Sequence, residues 1–169
     1  VSEGVKLTVE AGVEVRFDSG KSLQVFGELV AQGTSSSGIT FTSAQESKAA
    51  GDWGQIVFYD SSVDASYDGN GDYASGSILE YCTVEYGSGL LLSKGNPFIN
   101  QSTIRYHSDC GIRTDSWGSS KNGGSGITPL TLKITNNAIS NNTASNWGGG
   151  ISVDWYAADT VVISGNVVS

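Results

Sequence analysis

Four segments of this chain place two aliphatic residues five positions apart around a polar corner: Leu79 and Val84 in LEYCTV, Ile99 and Ile104 in INQSTI, Ile134 and Ile139 in ITNNAI, Ile163 and Val168 in ISGNVV. Cys82, Ser102, Asn137 and Asn166 fall at matching places inside these segments. A second series of short alternating runs, mostly opened by Gly, is aligned on Leu23 in SLQVFG, Ile56 in GQIVF, Leu90 in GLLLS, Ile112 in GIRTD and Ile151 in GISVD. Leu90 and Ile112 are 22 residues apart, one uninterrupted period, and the longer intervals each contain an insert: QESKAAGDW, DSSVDASYDGNGDYASG or SWGSSKNGGSGITP. Runs this short cannot bury an apolar face alone. They fold only if each turn of the pattern stacks on the next and the stack supplies the core.

Composition agrees. Gly accounts for 23 of 169 residues, Met is absent and Pro occurs twice, while strand formers and turn formers dominate, so the class is all-β. Gly and Asn at this density argue against helix. In ITNNAISNNTASNWGGGISVDW the pattern predicts a strand over 134–136, an Asn corner, a second strand near Ile139, a Gly-rich loop, and a strand of the next rung. Asn suits such corners because its side chain bonds nearby backbone and ladders onto Asn in the neighbouring rung.

The segments LTVEAGVEVRF, LQVFGELVAQGT, ITFTSA and GDWGQIVF, followed by GSILEYCTVEYG, resemble the repeats of pectin-lyase-like proteins, in particular the surface and secreted β-helix proteins of bacteria and archaea. The resemblance covers nearly the whole chain and rests on core and corner residues. It implies a right-handed parallel β-helix of about six rungs. Residues 1–169 read as one domain without a linker, a segment of a longer chain. The final VVISGNVVS stops inside a rung, so the expectation is that more protein follows, with an end-to-end contact at that open edge as the alternative.

The formal charge of −8 argues against a nucleic-acid partner, whose phosphates require Lys and Arg. No apolar run has the length of a membrane span. Cys82 and Cys110 fall in different corners and are expected as free thiols.

The family implied by the resemblance includes polysaccharide lyases and glycoside hydrolases, but the NTD, DD, GHG and RIK signatures of polygalacturonase-like hydrolases are missing. His107 in RYHSDCG is the only His and a weak candidate base against the plain reading of a corner residue. Arg105 aligns with Glu85 as a cross-strand ion pair on the outer wall, worth under about 1 kcal/mol if exposed. Asp115 in IRTDSW and Asp154 in ISVDWY share one offset from Ile112 and Ile151, which predicts that they stand one rung apart. Trp117, Trp155 and Tyr156 follow them and Trp147 precedes, so carboxylates and rings together suggest a sugar-binding shelf, with Arg113 on the same face and no assigned partner. The alternative is rings that cover packed loops.

The acidic insert supplies Asp64, Asp68, Asn70 and Asp72, oxygen groups spaced like the start of a calcium loop, although Leu79 stands where a bidentate Glu is needed; a solvated acidic turn is the competing reading. Asn100 in NQS and Asn141 in NNT match glycosylation sequons, or serve as corner groups. The expectation is a non-catalytic extracellular or cell-surface module that binds polysaccharide. The alternatives are a polysaccharide lyase or glycoside hydrolase, and a structural spacer of a surface protein.

Overall fold

The computed structural model describes residues 1–115, 130–146, 148–153 and 160–169. The described chain is all β. Its first circuit is β1 (Lys6–Val9), β2 (Glu14–Phe17) and β3 (Leu23–Val25), and its second is β4 (Glu28–Gln32), β5 (Ile39–Ser43) and β6 (Ile56–Phe58). A small hairpin, β7 (Ser66–Tyr67) and β8 (Tyr73–Ser75), lies in the acidic insert. The third circuit is β9 (Ile78–Glu80), β10 (Cys82–Glu85) and β11 (Leu90–Ser93), and the fourth is β12 (Phe98–Asn100), β13 (Thr103–Arg105) and β14 (Ile112–Asp115). The fifth holds β15 (Thr131–Thr135), β16 (Ala138–Ser140) and β17 (Ile151–Ser152), and the sixth β18 (Thr160–Ser164) and β19 (Val167–Val168).

Strands at the same place in successive circuits pair in parallel. The first sheet runs β1-β4-β9-β12-β15-β18, the second β2-β5-β10-β13-β16-β19, and the third β3-β6-β11-β14-β17. The chain thus visits three sheets in turn and returns to each one strand further on, as in a parallel β-solenoid. The aligned aliphatic residues of the sequence are the registered ones. Val9, Ala31, Leu79, Ile99 and Ile134 form one column, Val15, Phe41, Val84, Ile104 and Ile139 a second, and Leu23, Ile56, Leu90, Ile112 and Ile151 a third. In the middle circuits these side chains are fully buried, and each of them larger than Ala31 contributes on the order of 2 kcal/mol of apolar transfer. On the sixth circuit the column members Ile163 and Val168 are about half exposed (47% and 52%), since among the described residues no further strand stacks on them.

The corner between the first and second sheets turns on a single left-handed residue: Tyr81 (φ 50), Gln101 (φ 47), Asn136 (φ 57) and Gly165 (φ 65) in successive circuits. β15 therefore begins before the predicted 134–136 strand and ends before Asn136. The next residue inward builds a hydrogen-bonded ladder. The Ser102 hydroxyl accepts the Cys82 N–H (3.0 Å), Asn137 Oδ1 accepts the Ser102 N–H (2.9 Å), and Asn166 Oδ1 accepts the Asn137 N–H (2.8 Å). Asn137 Nδ2 donates to the Ile99 carbonyl, and Asn166 Nδ2 to that of Ile134. Backbone groups that the sheets leave unpaired at the corner are satisfied in this way, which buried amides and carbonyls require.

Candidate functional site

The outer face of the third sheet carries two columns. Gln24, Val57, Leu91, Arg113 and Ser152 are paired in register along the axis, and Ser93 pairs with Asp115 beside them. One residue beyond the paired Val25 and Phe58 stand Phe26 and Tyr59, whose rings stack at 4.3 Å and 3°. Phe26 is 37% exposed. Aromatic, carboxylate and guanidinium groups thus share one face over four circuits, about 14 Å at the strand spacing. Sequence reasoning missed Phe26 and Tyr59, although each directly follows a strand at the same offset, in LQVFG and IVFYD.

Arg113 is half-buried, and its Nε lies 4.0 Å from an Asp109 carboxylate oxygen, four residues earlier. That supplies the partner the sequence did not assign. Arg113 Nε makes no hydrogen bond among the described residues. Asp115 is half-buried. The register that places Ile151 and Ser152 beside Ile112 and Arg113 follows the predicted offset, but Asp154 itself, with Trp117, Trp147, Trp155 and Tyr156, lies outside the described residues.

The acidic insert folds onto the outer face of the first sheet. Phe98 on β12 is the anchor: Tyr67 meets it edge-on at 5.7 Å and Tyr73 at 6.0 Å. Lys133, one strand further on, sets its ammonium 4.0 Å over the Tyr67 ring and donates to the Gly71 carbonyl. Burial raises the pKa of both tyrosines, Tyr67 more than Tyr73, so they stay phenolic. Asp64 Oδ1 accepts the Asn96 N–H (2.8 Å), and Asp68 Oδ1 accepts the N–H groups of Asn70 (2.8 Å) and Asp72 (2.9 Å). Asp64 therefore ties the base of the insert and Asp68 organises its tip. Among the described residues no three His, Cys, Asp or Glu side chains gather as metal ligands, and a protein cation already sits at the tip.

His107 is fully buried in the corner between the second and third sheets. Its Nδ1 accepts the Gly87 N–H (3.2 Å) and its Nε2 faces the Val84 carbonyl (3.1 Å), which fixes the Nε2–H tautomer. Desolvation pushes its pKa down to about 4, against the weaker opposing effects of its hydrogen bonds with Gly87 and Val84 and of nearby Glu85. Both ring nitrogens are engaged, so the side chain is held in a structural role.

Glu85 and Arg105 pair as their alignment predicts, but not as an open surface pair. Arg105 donates to Glu85 Oε2 from Nε (2.9 Å) and Nη2 (2.8 Å), the Thr42 hydroxyl donates to Oε1 (3.1 Å), and the Glu85 side chain is only 9% exposed. The insert before β6 borders this cluster: Lys48 donates to the Thr42 hydroxyl (3.0 Å), while Trp53, buried in the core and stacked on Phe17 at 4.2 Å, donates from its indole N–H to the Glu85 main-chain carbonyl. Outside this cluster Tyr86 (φ 62) and Tyr106 (φ 56), both in the left-handed region, stack at 5.3 Å. A left-handed Tyr costs roughly 1 kcal/mol, which an aromatic pair offsets in large part.

Cys82 and Cys110 are free and buried. Burial pushes the Cys82 thiol up to about 12, which suits an inert packing group. No helix among the described residues is long and apolar enough to cross a membrane. No protein-family model, curated protein or solved structure shows a significant match to this chain.

Proposed function

We propose that this chain is a right-handed parallel β-helix of the pectin-lyase-like type, and that it serves as a non-catalytic extracellular or cell-surface module binding polysaccharide along the outer face of its third sheet. The right-handed winding is supported by the strong bias of parallel crossovers to that hand. One observation carries the binding reading: Phe26 and Tyr59, Arg113 and Asp115 all stand on that face, spread along the axis. A ring beside charged and amide groups suits a sugar, which offers an apolar face edged by hydroxyls. Trp117, Asp154, Trp155 and Tyr156 belong to the same proposed face by their place in the sequence. Calcium at Asp64, Asp68, Asn70 and Asp72 rests on residue spacing alone. Melting with calcium and with chelator tests it, because an ion that binds only the folded chain raises Tm.

The test is incubation with acidic and neutral polysaccharides, following both retention on the polymer and product length. Retention that falls at least tenfold in Arg113→Ala and Phe26→Ala, with chain length unchanged, supports the proposal. Shortened chains would replace it with a lyase or hydrolase. A second reading, a structural spacer, is favoured by the way His107, Glu85 and Asn137 are spent on internal bonds. Absence of retention on every polymer would leave that account standing.

A further inference from the structure

We propose that Asn141 is an N-glycan acceptor of this chain and that Asn100, which carries the same Asn-x-Ser/Thr pattern, is not. The pattern requires the Asn amide nitrogen and the hydroxyl two residues on to be reachable together.

At the first sequon neither group is reachable. Asn100 is 7% and Ser102 3% exposed. Asn100 Nδ2 donates to Glu80 Oε1 (2.7 Å), and its Oδ1 accepts from Thr135 Oγ1 (2.8 Å) and Asn136 Nδ2 (3.2 Å). The Ser102 hydroxyl donates to the Asn100 carbonyl (2.8 Å) while accepting the Cys82 N–H. Both residues belong to the interior of the corner.

At the second sequon the same corner logic turns outward. Asn141 is exposed, sits at φ 55, and its Nδ2 makes one long contact, 3.4 Å to the Ser140 hydroxyl. Thr143 is exposed, and its N–H donates to the His107 carbonyl (2.9 Å). The middle residue holds the segment down: Asn142 Nδ2 donates to the Ile104 carbonyl (3.2 Å) and its Oδ1 accepts the His107 N–H (3.0 Å). One residue is pinned inward and its two neighbours are presented to solvent. Register also places Tyr106 one strand below Asn141, since Arg105 pairs with Ser140. A first sugar on Asn141 would therefore rest beside an exposed ring about 5 Å away.

In the modification the Asn141 amide nitrogen attacks C1 of a glycosyl diphosphate. The C1–N bond forms as the C1–O bond breaks, the diphosphate leaves with the bonding pair, and the nitrogen's proton passes to the transferase's base. The inference is independent of polysaccharide binding.

The test is to treat the folded chain with a sequon-directed N-glycosyltransferase and its nucleotide-sugar donor, then locate the added hexose by peptide mass. Peptides bearing either sequon serve as the acceptor standard. One hexose on Asn141 is expected, lost in Asn141→Gln and equally in Thr143→Ala, which leaves Asn141 in place, and kept in Asn100→Gln. A folded chain that takes no hexose, or takes it on Asn100, overturns the proposal.

Discussion

His107 and Asn142 stand one circuit apart and make the same pair of bonds. Each side chain donates to the carbonyl of the strand below, Val84 for His107 and Ile104 for Asn142, and each accepts one backbone N–H, from Gly87 and from His107 itself. A neutral imidazole with its proton on Nε2 has a donor on one side and an acceptor on the other, as a carboxamide does. The chain uses it as a larger Asn.

That equivalence sets a pH dependence. The unfolded chain takes up a proton on this ring below about pH 6.5, whereas the folded chain resists until about pH 4. The unfolded state therefore binds more protons across that window, and stability falls as pH drops from about 6.5 toward 4. The loss approaches roughly 3 kcal/mol at the lower end. His107→Asn keeps both bonds and removes this contribution, so urea denaturation at pH 4.5 and 7 is expected to show a flatter dependence in the variant. An unchanged slope would mean that other groups set it.

Asn137 connects three circuits, donating its N–H to Asn166 Oδ1, its Nδ2 to Ile99, and receiving Ser102. Asn137→Ala strands a buried N–H and a buried carbonyl and is expected to cost about 2–4 kcal/mol in denaturant midpoints. Asn137→Ser is expected to cost less, because Ser fills the same place one circuit earlier. Equal losses in the two would refute the ladder's contribution.

Arg105→Met leaves the Glu85 side chain, 9% exposed and hydrogen-bonded by Thr42, without its Arg105 partner. A loss of about 2 kcal/mol is expected, larger than an exposed pair gives and smaller than a fully buried one, because Arg105 remains 40% exposed. A double-mutant cycle with Glu85→Gln measures the coupling, and a value near zero would return the pair to the surface class.

Phe98→Ala removes the ring that Tyr67 and Tyr73 flank, and Lys133→Met removes the contact to Gly71. Each is expected to raise protease cleavage within residues 60–76 at least several-fold while shifting global Tm by only a few degrees. Cleavage elsewhere in the chain would show that the insert and the sheets open together.

The stacking order was legible from the sequence because registered residues are also repeated residues. Leu79, Ile99 and Ile134 face one interior column, and an aliphatic spacing kept from circuit to circuit announces it. The free thiols, the Asn corner and the pairing of Glu85 with Arg105 follow from the same alignment. The aromatic pair Phe26–Tyr59 was hidden in apparent core runs, since a ring just past a strand end reads as one more apolar residue. Of the expected sugar-binding residues, Arg113 and Asp115 are described and share a face, while Asp154 and the tryptophans lie beyond what is described.

By itself, the sequence determined the class, the stacking and the register, because short strands with a fixed inward spacing have one economical way to bury their apolar side chains. Only the tertiary structure decided how deeply the polar groups outside the Asn ladder are buried. Glu85 became a largely buried carboxyl because Arg105 and Thr42 close around it, His107 became a corner amide because Gly87 and Val84 present one donor and one acceptor to its ring, and Asn100 withdrew while Asn141 stayed exposed. Those outcomes depend on what neighbouring circuits and inserts bring alongside each residue, which no local pattern encodes.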